Sequence, residues 1–321
     1  MLSPRITRTL NPPLTIGEVI VRAPSVAAPP STDTFDLTAA IVTYRNPISQ
    51  LRRAMESVAR QQGRIQLVLV DNAGESSVAA IADEYGAIYL RSPGNVGFGK
   101  AHNLAYERVR QLSSYHLVLN PDVHFDGPVF KTLLNVMTAE PELGVIMPKI
   151  LYGNGETQHL CKRLPTPWDL VVRRFAPDFA HGIFRRAMER YELRGRDYDQ
   201  PMEPPTLSGC FLLLRNSVVD QVGLFDTRFF MYMEDVDLIR RILRVSRTLY
   251  YPQVAITHEY QKGSYRSGRL AAHHVLSAVK YFSKWGWLFD QERNRINRRS
   301  YDVAYASIES NGNCVSCGER P

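Results

Sequence analysis

Leu37-Thr-Ala-Ala-Ile-Val-Thr43 decides the fold. It is a short apolar run rich in β-branched residues, which reads as a buried strand. Asn46-Pro47 then marks a turn. From Ile48 to Gln62 the apolar residues Ile48, Leu51, Met55, Val58 and Ala59 fall at helical spacing. Ile65 to Val70 is a second apolar strand, stopped by Asp71-Asn-Ala-Gly74, and Ser77 to Tyr85 a second helix. Ala87 to Leu90 is a third strand. A glycine-rich loop over 93–99 leads into a helix through Arg110. His116 to Leu119 is a fourth strand, followed by a helix from Pro128 to Thr138. Strands alternating with helices at this spacing predict an α/β fold with a mostly parallel, doubly wound sheet and right-handed crossovers.

Outward from this core the pattern changes. Pro12, Pro13, Pro24, Pro29 and Pro30 break residues 1–34, which are expected to be a flexible arm. After 145 the alternation lapses. Residues 161–205 are rich in Arg, Pro and aromatics, and read either as a lid inserted over the site or as a solvated helical face. Thr206 to Leu214 resumes a strand, Ser217 to Val222 is a short helix, Glu234 to Val245 an amphipathic helix and Thr248 to Ile256 a closing strand. The expected division is an arm (1–34), a catalytic domain (35–260) and a basic C-terminal segment (261–321).

Composition narrows the classes. The 321 residues carry 39 Lys and Arg against 32 Asp and Glu, a net charge of +7. That favours an anionic partner without choosing one. Cys161, Cys210, Cys314 and Cys317 are too few for a disulfide scaffold and suit a reducing compartment. No run reaches the roughly 18 apolar residues of a spanning helix, and the N-terminus lacks a signal-peptide core. The expected location is cytoplasmic, with any membrane contact peripheral.

Ligands of such sheets bind at the carboxyl ends of the strands. Polar residues gather there four times: Tyr44-Arg45-Asn46, Asp71-Asn72, Asn95 to Lys100, and Asn120-Pro121-Asp122. Gly94-Asn-Val-Gly-Phe-Gly99-Lys100 has P-loop spacing, but Ala101 stands where a metal-binding Ser or Thr belongs. The loop reads either as a phosphate cradle of backbone N–H groups with Lys100, or as a tight turn. Asp122 could hold a divalent metal bridging a diphosphate, with His258 as a further ligand. Glu234 and Asp235 follow the apolar Phe229-Phe-Met-Tyr-Met233, and desolvation there suits one of them to general-base work. Cys314-x-x-Cys317 has metal spacing but supplies only two ligands.

Between Lys262 and Arg299 nine basic residues face two acidic ones. A helix over 270–289 gathers Ala271, Val275, Ala278, Phe282 and Trp285 on one stripe, with Trp287 and Phe289 at its end. That stripe reads equally as a peripheral membrane helix or as a face packed on the catalytic domain.

The ordered set of these motifs resembles the inverting glycosyltransferases of family 2, with the GT-A fold, over roughly 37–260. It comprises Val42-Thr-Tyr44, Val70-Asp-Asn72, Asn95-Val-Gly-Phe-Gly-Lys-Ala-His-Asn103, Leu119-Asn-Pro-Asp122, Ser208-Gly-Cys-Phe211, Gly223-Leu-Phe-Asp226, Phe229 to Asp237, and His258. It looks most like the rhamnosyltransferase branch that builds bacterial surface polysaccharide. The resemblance implies that Thr43, Tyr44, Arg45 and Asp71 hold the nucleoside, with Asp71 accepting from the base. Asn72, Gly97, Lys100, Asn103 and Asn120 would line the nucleotide-sugar crevice, and Gly209 and Cys210 would flank sugar and acceptor. Asp122 and His258 would bind Mn2+ or Mg2+, although Asn120 replaces the first acid of the family's D-x-D. Asp235 would be the base, oriented by Glu234. The implied donor is dTDP-rhamnose and the acceptor a saccharide or polyprenyl-linked saccharide, with an anionic membrane surface as a further partner. Two other classes compete. One is a nucleic-acid binder, for which no recognition motif exists. The other is a non-catalytic sugar-nucleotide-binding or assembly protein on the same fold.

Overall fold

The computed structural model describes residues 20–22, 34–175, 181–259 and 268–302. They form a nine-stranded sheet in the order β1-β4-β3-β2-β5-β8-β7-β9-β6. The strands are β1 (Ile20–Arg22), β2 (Leu37–Thr43), β3 (Ile65–Asp71), β4 (Ile88–Arg91), β5 (Tyr115–Leu119), β6 (Val123–His124), β7 (Leu143–Leu151), β8 (Phe211–Arg215) and β9 (Arg247–His258). The first half of the chain supplies α1 (Ile48–Ala59), α2 (Ser76–Glu84), α3 (Phe98–Val109) and α4 (Val129–Ala139).

β4, β3, β2 and β5 run parallel, as the alternation predicts. Their unbroken apolar runs follow from burial on both faces. In β2, Ala39 and Ile41 pack with Leu51 and Met55 of α1, while Ala40 and Val42 pack with Ala101 and Ala105 of α3. The helices thus sandwich the strands, and every loop leaving a carboxyl end opens on one edge.

The second half is mixed. β8 is antiparallel to both β5 and β7, and β9 returns parallel to β7. β7 was not expected, since the alternation was read as lapsing after 145. Its pattern is masked by Gly144, Pro148 and Lys149, and its register against β9 slips between Pro148 and Lys149. Three residues of the expected arm, Ile20–Arg22, pair antiparallel with β4 at the sheet edge. The rest of that arm lies outside the described residues, as do Cys314 and Cys317. Cys161 and Cys210 are buried free thiols.

The Arg-rich 161–205 stretch contains α5 (Pro167–Phe175) and α6 (His181–Tyr191), which pack on each other. Then come α7 (Asn216–Val222), α8 (Glu234–Ile242), α9 (Gly268–Trp285) and α10 (Gln291–Asp302). The stripe expected to meet a membrane divides. Phe282 is buried with Tyr281, Leu170, Phe229 and Met233, and Ala278 and Trp285 pack against that cluster. Val275 stays exposed, as do Trp287 and Phe289 at the stripe's end, so the packing alternative holds for Ala278, Phe282 and Trp285. No helix among the described residues is long and apolar enough to cross a membrane.

Candidate active site

After β2, Asn46 Oδ1 accepts from the Thr43 hydroxyl at 3.2 Å and the Tyr44 N–H at 3.0 Å. This turn holds Arg45 at φ 56° and leaves Tyr44 43% exposed, with the Arg45 guanidinium 5.4 Å from its ring centre. Asp71 ends β3 but is fully buried. Its Oδ1 accepts from the Ala73 and Gly74 N–H groups at 2.8 and 2.7 Å, and its Oδ2 from the Tyr89 hydroxyl at 2.9 Å. The carboxylate expected to read a base is thus engaged in shaping its own loop. Asn72 Oδ1 accepts from Ser92 at 2.7 Å, and its amide donates to the Gly97 carbonyl at 3.4 Å.

Gly97 has φ 87°, and a Cβ there would sit 2.3 Å from the Phe230 carbonyl oxygen. Glycine is required twice, for conformation and for space. The close approach lets Phe98 N–H donate to Phe230 at 3.0 Å, bringing the glycine loop against the segment before α8. Lys100 lies half-buried in the first turn of α3. Asn103 differs from expectation. Its amide donates to the Phe225 carbonyl at 2.8 Å and its oxygen accepts the Phe225 N–H at 3.0 Å. Both ends of the side chain are spent on one backbone unit, so Asn103 fastens the 223–226 loop instead of lining the crevice.

Asn120-Pro121-Asp122 leaves β5, with the Asn120 N–H donating to the Cys210 carbonyl at 2.9 Å. Asp122 Oδ1 is buried without a hydrogen-bond partner and lies 3.4 Å from His258 Nε2. Gln158 orients that ring. Its amide donates to the His258 carbonyl at 2.7 Å, and its oxygen lies 3.1 Å from His258 Nδ1. The oxygen can only accept, so Nδ1 carries a proton and Nε2 is turned toward Asp122. An orphaned carboxylate oxygen beside an aimed imidazole fits a divalent cation. The described residues hold no cluster of three or more His, Cys, Asp or Glu, so further ligands would come from a diphosphate and water. Gln158 sits in an irregular segment, and no sequence signal marked it.

The acidic motif opens α8 on two left-handed residues, Tyr232 at φ 69° and Met233 at φ 66°. Strained backbone of this kind costs of order 1–3 kcal/mol per residue and gathers at functional sites. It turns the two carboxylates to different surroundings. Asp235 is half-buried, its Oδ2 accepting from the Gly209 N–H at 3.1 Å. Glu234 is buried with Oε2 unpartnered. Burial first, and repulsion from Asp235 second, push its carboxyl up to about 8. Burial thus favours the neutral form of Glu234 beside Asp235. Cys210 also departs from expectation. Its side chain is buried and its thiol is pushed up to about 12, chiefly by burial, so only its backbone can border a ligand.

Ser208-Gly209-Cys210 thus joins the two halves, bonded to Asn120 on one side and Asp235 on the other. Gln158, Lys162, Ser208, Tyr232, Asp235 and His258 are among the residues lining a cleft of about 610 Å3. Residues 38–223 match the model of glycosyl transferase family 2. The chain belongs to glycosyltransferase family 2. The N-acetylglucosaminyl-diphospho-decaprenol L-rhamnosyltransferase of Mycobacterium tuberculosis is 28% identical over 255 residues, 73% of this chain and 80% of that one. Rhamnosyltransferase WbbL of Escherichia coli is 22% identical over 258 residues, 77% and 93% of the two chains. Among solved structures, the mannosyltransferase PcManGT of Pyrobaculum calidifontis, in complex with GDP-Man and Mn2+, aligns with TM-score 0.54 and 16% identity over 87% of this chain and 73% of that one. GalNAc-T7 with UDP, GalNAc and Mn2+ aligns with TM-score 0.55 and 16% identity over 71% and 43%. These likenesses establish the GT-A fold, and family membership makes the chain a glycosyltransferase.

Proposed function

We infer that this glycosyltransferase catalyses inverting transfer of rhamnose from dTDP-rhamnose to a polyprenyl-linked saccharide, in assembly of a bacterial surface polysaccharide. The observation that carries the reading is the placing of Asp235 across Ser208-Gly209-Cys210 from the Asp122–His258 pair. A base and a diphosphate-side cation site then border the same cleft. The names of the two rhamnosyltransferase relatives support the choice of sugar, and decaprenol in one name supports a lipid-linked acceptor.

In this reading Tyr44 stacks on the base, and the Lys100 ammonium with the Gly99 and Lys100 N–H groups in the first turn of α3 faces the diphosphate. Asp122 and His258 would hold Mn2+ or Mg2+, which neutralises charge on the departing diphosphate when bound. The acceptor hydroxyl enters from the side of Asp235. Its oxygen forms a bond to the anomeric carbon as the bond from that carbon to the diphosphate oxygen breaks, and the hydroxyl proton passes to Asp235. One displacement inverts the centre. The Gly209 N–H fixes the Asp235 carboxylate, and neutral Glu234 adds no second negative charge beside it.

Melting curves with dTDP-, UDP- and GDP-sugars, each with and without Mn2+, test the donor. A ligand that binds only folded protein raises the melting temperature by mass action. The reading expects dTDP-rhamnose with Mn2+ to give the largest rise. A larger response to UDP- or GDP-sugars would replace the donor.

A further inference from the structure

Two helices that wall the cleft also carry bare apolar side chains on their outer faces. Leu170 of α5 lines the cleft, while its neighbours Trp168 and Val171 are 58% and 47% exposed. His274 of α9 lines the cleft, while Leu276 is 55% exposed and Val279 43%. α5 and α9 pack together through Leu170, Tyr281 and Phe282, which leaves the opposite side of each helix outward, with Trp168 against Phe184 of α6. The turn after α9 adds Leu288 at 74% exposure and Phe289 at 96%. A phenylalanine bare in water has no role in packing this fold, and a cluster of large apolar side chains marks a contact surface.

The surrounding charge chooses the partner. α9 contains no acidic residue, and it presents Arg269 and Lys280 to solvent. α10 is fastened to the segment before α5, because Asn297 Oδ1 accepts the Leu164 N–H at 2.8 Å and its amide donates to the Leu164 carbonyl at 2.9 Å. That docking leaves Arg295, Arg298 and Arg299 exposed. Apolar side chains amid uncompensated cations match the interface of an anionic bilayer, where rings and aliphatics enter the acyl boundary and cations meet headgroups.

We propose that the outer face of α5, α9 and the 287–289 turn docks on an anionic lipid leaflet, setting the mouth of the cleft at the membrane surface. The proposal rests on the lipid-linked acceptor reading only for its purpose; the surface is argued from exposure and charge. It also relocates the membrane contact from the expected stripe, since Phe282 and Trp285 face the protein. A polyprenyl diphosphate saccharide held in the leaflet would present its sugar to Asp235 without leaving the lipid.

The test uses the full-length protein and vesicles of phosphatidylglycerol and phosphatidylethanolamine, with phosphatidylcholine vesicles as control. Wild-type protein should sediment with the anionic vesicles at low salt and be released at high salt, as screening shortens the reach of exposed charges. The triple variant Leu276→Ser, Leu288→Ser, Phe289→Ser should partition at least about ten-fold less while melting as the wild type does. Arg298→Glu with Arg299→Glu, which touches no apolar residue, should weaken partition to anionic vesicles alone. Wild-type protein that stays in the supernatant, or a folded triple variant that partitions like wild type, overturns the proposal. So does light scattering that shows a lipid-free dimer converted to monomer by the triple variant, because the face would then bind a second copy. Vesicle binding is read without any reaction, so a failed donor or acceptor assignment leaves a distinct signature.

Discussion

The indole Nε1 of Trp285 donates to Asp237 Oδ1 at 2.8 Å, tying the last turn of α9 to the first turn of the helix that carries Asp235. Asp237 is fully buried and also meets Lys284 Nζ at 2.6 Å and Arg241 Nε at 2.8 Å. One turn on, Arg240 forms a bidentate pair with Asp290 at 2.7 Å, and its guanidinium lies 4.2 Å from the Trp285 ring centre. Ser277 donates to the Met231 carbonyl at 2.8 Å and Lys280 to that of Arg228 at 2.7 Å. α9 therefore splints the strained segment that leads into Glu234 and Asp235.

Removing the hub of this clamp should be costly. Asp237→Ala leaves Arg241 with backbone carbonyls only, Lys284 with Asp226 alone and the Trp285 N–H unpaired, and the expected loss is about 3 kcal/mol. Trp285→Phe keeps a six-membered ring but deletes the donor and the five-membered ring of the indole, so a smaller loss of about 1–2 kcal/mol is expected. Urea unfolding of both variants measures the difference. Equal stabilities would mean that Asp237 is not the hub.

Much of this was legible in the sequence, and the remainder shows what a linear reading loses. The parallel half was readable because each strand is buried on both faces and each helix shows its own period. β7 was not, since Pro148 and Gly144 interrupt a run whose burial comes from β8 and β9, distant in sequence. Asp122, His258, Glu234 and Asp235 announced themselves by type at strand and helix ends. Gln158 could not, because its role is fixed by a backbone carbonyl and a ring 100 residues away. Asn103 and Asp71 show the converse. Each stands where a ligand contact was expected, yet protein groups take its polar atoms: the Phe225 backbone for Asn103, and the Ala73 and Gly74 N–H groups with the Tyr89 hydroxyl for Asp71.

Glu234 predicts a pH signature. Its carboxyl rises from 4.5 to about 8 on folding, so between these values the folded chain holds a proton that the unfolded chain has released. Stability from this group is complete below 4.5 and is lost as pH rises to 8, by at most about 1.4 kcal/mol per pH unit. Glu234→Gln removes the titration. The melting temperature of the variant relative to wild type should climb between pH 5 and pH 8. A constant offset would show that Glu234 ionises in the folded state as in water.

The opposite limb belongs to two core histidines. His102 packs against Phe98 and Phe225 with both ring nitrogens unpartnered, and burial holds it well below 6.5. Burial takes His116 down to about 3. The unfolded chain protonates both below 6.5 while the folded chain does not, so stability is lost as pH falls through that value. His102→Leu should flatten the acid limb, gaining on wild type at pH 5 more than at pH 7.5 in parallel denaturant titrations. An identical pH slope in both proteins would mean that another group drives acid unfolding.

The cation reading makes a graded forecast. Calorimetry of dTDP binding with and without Mn2+ should show metal-dependent affinity in wild type. Asp122→Ala should abolish that dependence, and His258→Ala should weaken it. Gln158→Ala, which frees the imidazole without removing it, should weaken it by about 10-fold. Metal dependence that survives intact in Asp122→Ala places the ion elsewhere.

Asp235→Asn tests the central claim most directly. The amide keeps the size of the side chain and its oxygen can still accept the Gly209 N–H, but it cannot take the proton of an attacking hydroxyl. Single-turnover transfer of rhamnose from dTDP-rhamnose, measured beside dTDP-rhamnose affinity, should fall by about 10²–10⁴-fold while affinity stays within a few-fold. Transfer at the wild-type rate, with affinity unchanged, would contradict the account.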